Sequence, residues 1–230
     1  MDGLNRKKSM VRLFNVNKQY GTSLALSEVN LDILKNEFIL ISGPSGAGKS
    51  TLLKLLYLAE HVSKGQILVD GINLSRITKR RMPFYRRKLG IVFQDFKLIP
   101  QITVFENVAL VLESTGTNKN TIAQRVKLIL SIVEMEKRLD AYPPSLSGGE
   151  QQRVAVARAV VGTPKIILAD EPTGSLDSKS AAIVMGLLKR FHAAGTTVIV
   201  ASHNKEHLNN KDIRTVHIEN GRVISGTTIL

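Results

Sequence analysis

The sequence predicts an α/β fold, a mostly parallel sheet covered by helices with antiparallel pieces beside it. Short, continuously apolar runs at 38–41, 166–169 and 198–201, the last within a strand from Thr197, read as strands buried on both faces. Segments of helical spacing near Lys49–Leu58 and Ser178–Phe191 separate such strands, the alternation that makes a sheet parallel. Asp70-Gly71 inside Ile67–Leu74 and Asn220-Gly221 inside Val216–Ile224 have strand-like flanks, which favours tight primed hairpins.

Along the chain, apolar residues alternate at Val11 and Leu13, then at Val29, Leu31 and Ile33, as in half-buried strands. The buried run Phe38–Ile41 follows, and Ile91–Phe93 is a further short strand. The middle of the chain changes period. Thr103 and Glu106 form a capping box that opens an apolar helix, and Ile122, Val126, Ile129, Leu130 and Val133 share one face of the next. These elements form a helical insertion over about 96–160. A last helix after Ser147 should run to about Val161, with Gly162 as C-cap and Pro164 just beyond. No repeat or low-complexity linker is present, so 230 residues read as a single domain, 1–230, with a helical subdomain.

The chain has no cysteine, which excludes disulfides, thiolate metal sites and cysteine nucleophiles. The longest purely apolar runs are five residues long, far below the roughly 18 of a membrane span. Arg6, Lys7 and Lys8 are basic, but no apolar segment follows them, so no secretory signal is expected and the protein should stay in the cytoplasm. The net charge of +13 fits nucleic acid, an anionic membrane surface or a solvated face. Its densest part is Ser75–Lys88, with seven basic residues (Arg76, Lys79, Arg80, Arg81, Arg86, Arg87 and Lys88) and no acid.

Three motifs carry chemistry. Gly43-Pro44-Ser45-Gly46-Ala47-Gly48-Lys49-Ser50 follows a buried strand and opens a helix, the context of a phosphate-binding loop. Its glycines let several N–H groups converge on one anion, the helix N-terminus adds its dipole, Lys49 reaches the outer phosphates and Ser50 offers a hydroxyl to Mg²⁺. Lys165–Glu171 is a buried strand ending in two carboxylates at the edge where open α/β sheets bind ligands. Asp170 would hold the magnesium through water. Adjacent side chains diverge there, leaving Glu171 to act as general base on an attacking water. Leu146-Ser147-Gly148-Gly149-Glu150-Gln151-Gln152-Arg153 places a hydroxyl and bare N–H groups at a helix start, suited to a terminal phosphate. By helix physics alone Ser147 is an N-cap.

Together these motifs, in this order, resemble the ATPase domain of ABC transporters along the whole chain. The resemblance implies a RecA-like P-loop NTPase core, an antiparallel β subdomain and a helical insertion, with ATP and Mg²⁺ as cofactors. It assigns Tyr20 to stacking on adenine and Gln94 to sensing magnesium and water. It places Ser175-Leu176-Asp177 in the D-loop and His203 at the γ-phosphate. His203 follows a buried strand at the same sheet edge as Glu171, where it can hold a phosphate oxygen and the attacking water. The nucleotide would lie on residues 43–51, including Thr51. Asn36 stands where the family has Gly, Asn204 where it often has Asp, and Ser175 where close relatives often have Asn. Leu58–Ser63 lacks the usual Gly and Pro, so its loop should be shaped differently.

One phosphate loop and one signature per chain imply a head-to-tail homodimer, with ATP on one copy capped by Ser147, Gly148, Gly149 and Glu150 of the other. Pro83–Phe96 and Thr103–Ala109 are more similar to the cell-division branch than to the lipoprotein-releasing or peptide-export branches, which share much of the pattern. That similarity implies an FtsX-like integral membrane partner gripped near Asp95–Pro100, control of cell-wall hydrolases, and a peripheral position at the cytoplasmic face of the inner membrane. The Arg76–Lys88 run would then face anionic lipid. A lipoprotein-release or efflux motor is the alternative, and an ATP clamp with slow turnover is another. A nucleic-acid-associated ATPase is more distant, because four Tyr, seven Phe and no Trp offer little for base stacking.

Overall fold

The computed structural model describes residues 8–203 and 213–225; Arg6, Lys7 and Asn204 lie outside them. Two long strands, β1 (Ser9–Tyr20) and β2 (Ser23–Leu34), pair antiparallel, with β4 (Lys64–Val69) and β5 (Ile72–Asn73) on the other side of β1. The second sheet has the order β10-β9-β3-β8-β7-β6. Its strands β3 (Phe38–Ser42), β6 (Leu89–Val92), β7 (Ile166–Asp170) and β8 (Thr197–Ala201) are parallel, as is the pairing of β3 with β9 (Arg214–Glu219). Only β10 (Arg222–Ser225) runs antiparallel, against β9.

The unbroken apolar runs have a direct cause. Phe38, Leu40, Ile167, Ala169, Val198 and Val200 face one core, built with α3 (Val104–Glu113), α4 (Lys119–Ile132), α5 (Gly148–Val160) and α6 (Ser178–Ala193). Ile39, Ile41, Ile166, Leu168, Ile199 and Ala201 face a second core, shared with α1 (Lys49–Leu56) and the antiparallel sheet. Each central strand is therefore buried on both faces, as parallel strands are. Both expected hairpins form, with Asp70 (φ 47°) and Asn220 (φ 48°) in the left-handed region that primed turns require. The Thr103–Glu106 capping box is also present, and Asn36 takes the left-handed conformation (φ 56°).

Four boundaries differ from the sequence reading. Strand β6 ends at Val92, before Phe93, and α6 runs on to Ala193. Helix α1 stops at Leu56, because the next helix, α2 (Met82–Arg86), supplies partners for its last carbonyls. The Tyr85 hydroxyl donates to the Leu56 carbonyl, and Arg86 donates to those of Tyr57 and Leu58. Leu58 then turns left-handed (φ 59°). Helix α5 ends at Val160 with Val161 as C-cap, not Gly162. The left-handed residue is Thr163 (φ 51°), whose N–H donates to the Val160 carbonyl at 2.8 Å. Gly162 serves packing instead: a Cβ there would lie 3.3 Å from Val111 of α3.

Among the described residues no helix is long and apolar enough to cross a membrane. At the first hairpin, the Asp70 carboxylate bridges Lys35 (2.6 Å) and Lys165 (2.7 Å), tying the antiparallel sheet to the start of β7. The Lys165 and Lys35 hydrogen bonds hold its carboxyl below the ordinary 3.8. The unfolded chain therefore takes up this proton first as pH falls, and the bridge stabilises the fold above that value and is lost below it. Asp70→Asn, which suits the same turn, should lower stability at neutral pH and flatten its loss on acidification. Denaturant midpoints across an acid titration check this.

Candidate active site

The loop between β3 and α1 wraps one side of a cavity of about 620 Å³, lined by Pro44–Gly46, Gly48–Thr51, Gln94, Glu171 and His203. A larger cavity, about 840 Å³, lies beside α2 and contains none of the motif residues, so size alone does not locate this chemistry. Gly48 caps α1 at φ 108°, and a Cβ there would meet the Ala25 carbonyl at 2.6 Å. Only glycine fits. Lys49 is 6% exposed and donates to the carbonyls of Gly43 and Pro44, both at 2.9 Å, so its ammonium sits inside the curl of the loop. The second hairpin braces the loop from outside: Gly221 N–H donates to the Ala47 carbonyl, and Ser27 N–H donates to the Gly221 carbonyl.

The two carboxylates at the end of β7 diverge. Ser50 donates to Asp170 Oδ1 at 2.9 Å. Burial, with the neighbouring Glu171 charge, pushes the Asp170 carboxyl up, and the Ser50 bond offsets part of that. Glu171 stands in the left-handed region (φ 43°), a conformation that costs a non-glycine residue roughly 1–3 kcal/mol and concentrates at functional sites. Its N–H is anchored on the Ala201 carbonyl at 2.8 Å. The twist turns its carboxylate toward the end of β8. There it accepts hydrogen bonds from Ser202 Oγ (3.1 Å) and His203 N–H (3.0 Å), meets His203 Nδ1 at 2.9 Å, and lies 3.7 Å from Lys49 Nζ.

The structure thus brings Lys49, Ser50, Gln94, Asp170, Glu171 and His203 together. Tyr20 stands apart at the end of β1, 40% exposed, with Lys18 Nζ 4.6 Å from its ring centroid. Lys18 is itself held by Glu60 (2.7 Å) and the His61 carbonyl. Ser147, Gly148, Gly149 and Glu150 do not line the cavity of their own chain. Ser147 N-caps α5 in a capping box: Glu150 N–H donates to Ser147 Oγ, and Ser147 N–H to Glu150 Oε2, which holds that carboxyl below its usual range. Asp177 N-caps α6 by accepting from Ser180 N–H, and the Ser180 hydroxyl together with that N–H lowers its carboxyl likewise.

Two supporting residues escaped the sequence reading. Buried Gln152 of α5 donates to the Pro172 carbonyl (2.8 Å) and toward that of Phe93 (3.4 Å), joining the signature helix to the ends of β6 and β7. Arg158 donates to the carbonyls of Phe96 (2.7 Å) and Lys97 (2.6 Å), holding the left-handed turn after Gln94 (φ 58° and 50°). Neither has a local signal.

The chain matches the ABC transporter family over residues 26–174. The chain belongs to that family. It is 44% identical over 216 residues to the "Cell division ATP-binding protein FtsE" of Bacillus subtilis (strain 168), covering 94% of this chain and 95% of that one. To the Escherichia coli (strain K12) protein of the same name it is 39% identical, covering 94% and 98%. Among solved structures, the dimeric post-hydrolysis state of the ATP-binding cassette MJ0796, bound to ADP and Pi, superposes with TM-score 0.86 at 37% identity, covering 94% and 97%. The chain is therefore an FtsE-like ABC ATPase.

In this ABC ATPase the close approach of α5 to α6 needs Gly149, because a Cβ there would meet Ser180 Oγ at 2.5 Å and Ser180 Cβ at 2.8 Å. Gly149→Ala should destabilise the fold by about 1–3 kcal/mol through overpacking. A denaturant titration reads this.

Proposed function

We propose that the chain, as a single nucleotide-binding domain (1–230) with a helical subdomain over about 96–160, is the ATP-hydrolysing subunit of a membrane complex. ATP closes a head-to-tail homodimer, and hydrolysis reopens it. The observation that carries this reading is the split of the machinery. The phosphate loop, Glu171 and His203 share one cavity, with Asp170 hydrogen-bonded to Ser50 of its lining, while Ser147–Glu150 stand outside it at a helix start with a hydroxyl and glycine N–H groups. A second copy would supply those groups to the terminal phosphate. The dimeric MJ0796 cassette supports that arrangement.

Lys49 and the loop N–H groups would hold the phosphates, and Tyr20, backed by Lys18, would stack on adenine. Glu171 would accept the proton of the attacking water, while His203 holds the carboxylate and a phosphate oxygen in register. Gln94 would position the water, and Asp177 would set the start of α6 beside the partner's loop.

Magnesium fits the donor set. The described residues contain no group of three or more His, Cys, Asp or Glu that could cage a metal. The hydroxyl of Ser50 and the carboxylate of Asp170 at 2.9 Å, with the Gln94 amide nearby, instead suit a hard cation that takes its other ligands from phosphate and water. When bound, it would neutralise charge on the phosphate oxygens.

The FtsE names support a place in cell division, with coupling to an FtsX-like integral membrane partner that controls cell-wall hydrolysis, at the cytoplasmic face of the membrane. Glu171→Gln should lower ATP turnover by roughly a hundredfold to ten-thousandfold while ATP binding is kept. Purified from its own membranes with Mg-ATP, it should bring that partner with it. Full turnover would overturn the catalytic assignment, and a lipoprotein or efflux permease in its place would overturn the division role.

A further inference from the structure

The larger cavity, of about 840 Å³, lies between the Asp70-Gly71 hairpin and α2 and has no part in the nucleotide site. Four cations line it: Arg76, Arg80, Arg81 and Lys88. Its walls also carry Ile72, Ile77 and Phe84, and Phe84 is 60% exposed. No acid lines it. Lys79 and Arg87 add to the same exposed surface, and among the described residues none of these six cations has a carboxylate within ion-pair distance. The acid nearest in the chain, Asp70, is already bridged by Lys35 and Lys165.

The helix that carries part of the patch is anchored to the fold. Tyr85 and Arg86 rivet α2 to the end of α1 through the carbonyls of Leu56, Tyr57 and Leu58, and Phe84, Arg87 and Lys88 flank those two anchors in the chain. Arg87 stands 5.1 Å over the Phe84 ring, which joins a cation to an exposed apolar group.

We infer that this face is a docking surface for an anionic phospholipid bilayer, with the cations on the headgroups and Phe84 in the interfacial layer. Long, exposed, unpaired cations around one exposed aromatic suit a surface of many mobile anions, because such a surface needs no fixed ion-pair geometry. A single-stranded nucleic acid held by base stacking would need open aromatic faces, and Arg87 covers one face of Phe84, the one exposed aromatic among the lining residues. The inference goes beyond the proposed function and does not depend on it.

Full-length protein is sedimented with vesicles of phosphatidylcholine alone, or of phosphatidylcholine with about 30% phosphatidylglycerol, a charge density that attracts basic segments. No membrane protein is present, so the result is separate from any FtsX-like coupling. The wild type should partition onto the anionic vesicles only, and less so as salt rises. Arg80→Glu/Arg81→Glu/Lys88→Glu should lower that partition at least about tenfold, because it replaces attraction to the anionic surface with repulsion. Phe84→Ser should lower it with the charge unchanged. Unaltered ATP turnover and thermal midpoint show that both variants fold. Equal partition of the variants and the wild type would overturn the inference. So would equal binding to uncharged vesicles, no binding at all, or binding to poly-glutamate in place of anionic vesicles.

Discussion

Parallel pairing of β3, β8 and β7 in one register is the constraint on which the candidate site depends. Asp170 lies opposite Ala201, and Ile41 lies opposite Ala201 from the other side. One hydrogen bond runs from Glu171 N–H to the Ala201 carbonyl, and another from Ser202 N–H to the Ile41 carbonyl. The strand carrying the carboxylates, the strand carrying His203 and the strand feeding the phosphate loop are thus joined at their ends by main-chain bonds. A slip of one residue would reverse every side chain and turn Ile167 and Ile199 into the wrong cores. Burial on both faces holds the register, so packing of the interior decides where the polar groups stand.

The same logic extends outward. Gln152 and Arg158 sit on one helix, α5, and grip the backbone just beyond β6 and β7. Ser147 and Gly149 begin that helix, Ser147 as its cap and Gly149 against Ser180 of α6. Movement of α5 would therefore be felt at Gln94, at Pro172 beside Glu171, and at the start of α6. This gives a physical route by which a group bound at the Ser147 end can bear on the carboxylates.

Much of this was legible in the sequence, for reasons particular residues make plain. Phe38–Ile41 and Thr197–Ala201 could only be strands covered twice, and Asp70-Gly71 and Asn220-Gly221 carry their turn chemistry locally. The phosphate loop and Asp170-Glu171 are contiguous motifs. Other features depend on distant partners. The end of α1 is set by Tyr85 and Arg86, 28 or 29 positions away. Arg158 acts across 61 and 62 positions, and Lys18 reaches Glu60 across 42. Gly162 looked like a cap and instead makes room for Val111. The twist at Glu171 had no sequence signal at all, since glutamate has no preference for φ 43°.

The central claim is that one chain holds half of each of two composite sites. Sedimentation equilibrium of Glu171→Gln, with ATP or with ADP, tests it most directly. The account predicts a dimer with Mg-ATP and a monomer with ADP. Adding Ser147→Arg should return the protein to a monomer that still binds ATP. A Glu171→Gln protein that stays monomeric with bound Mg-ATP, or dimerises alike with either nucleotide, would contradict the account.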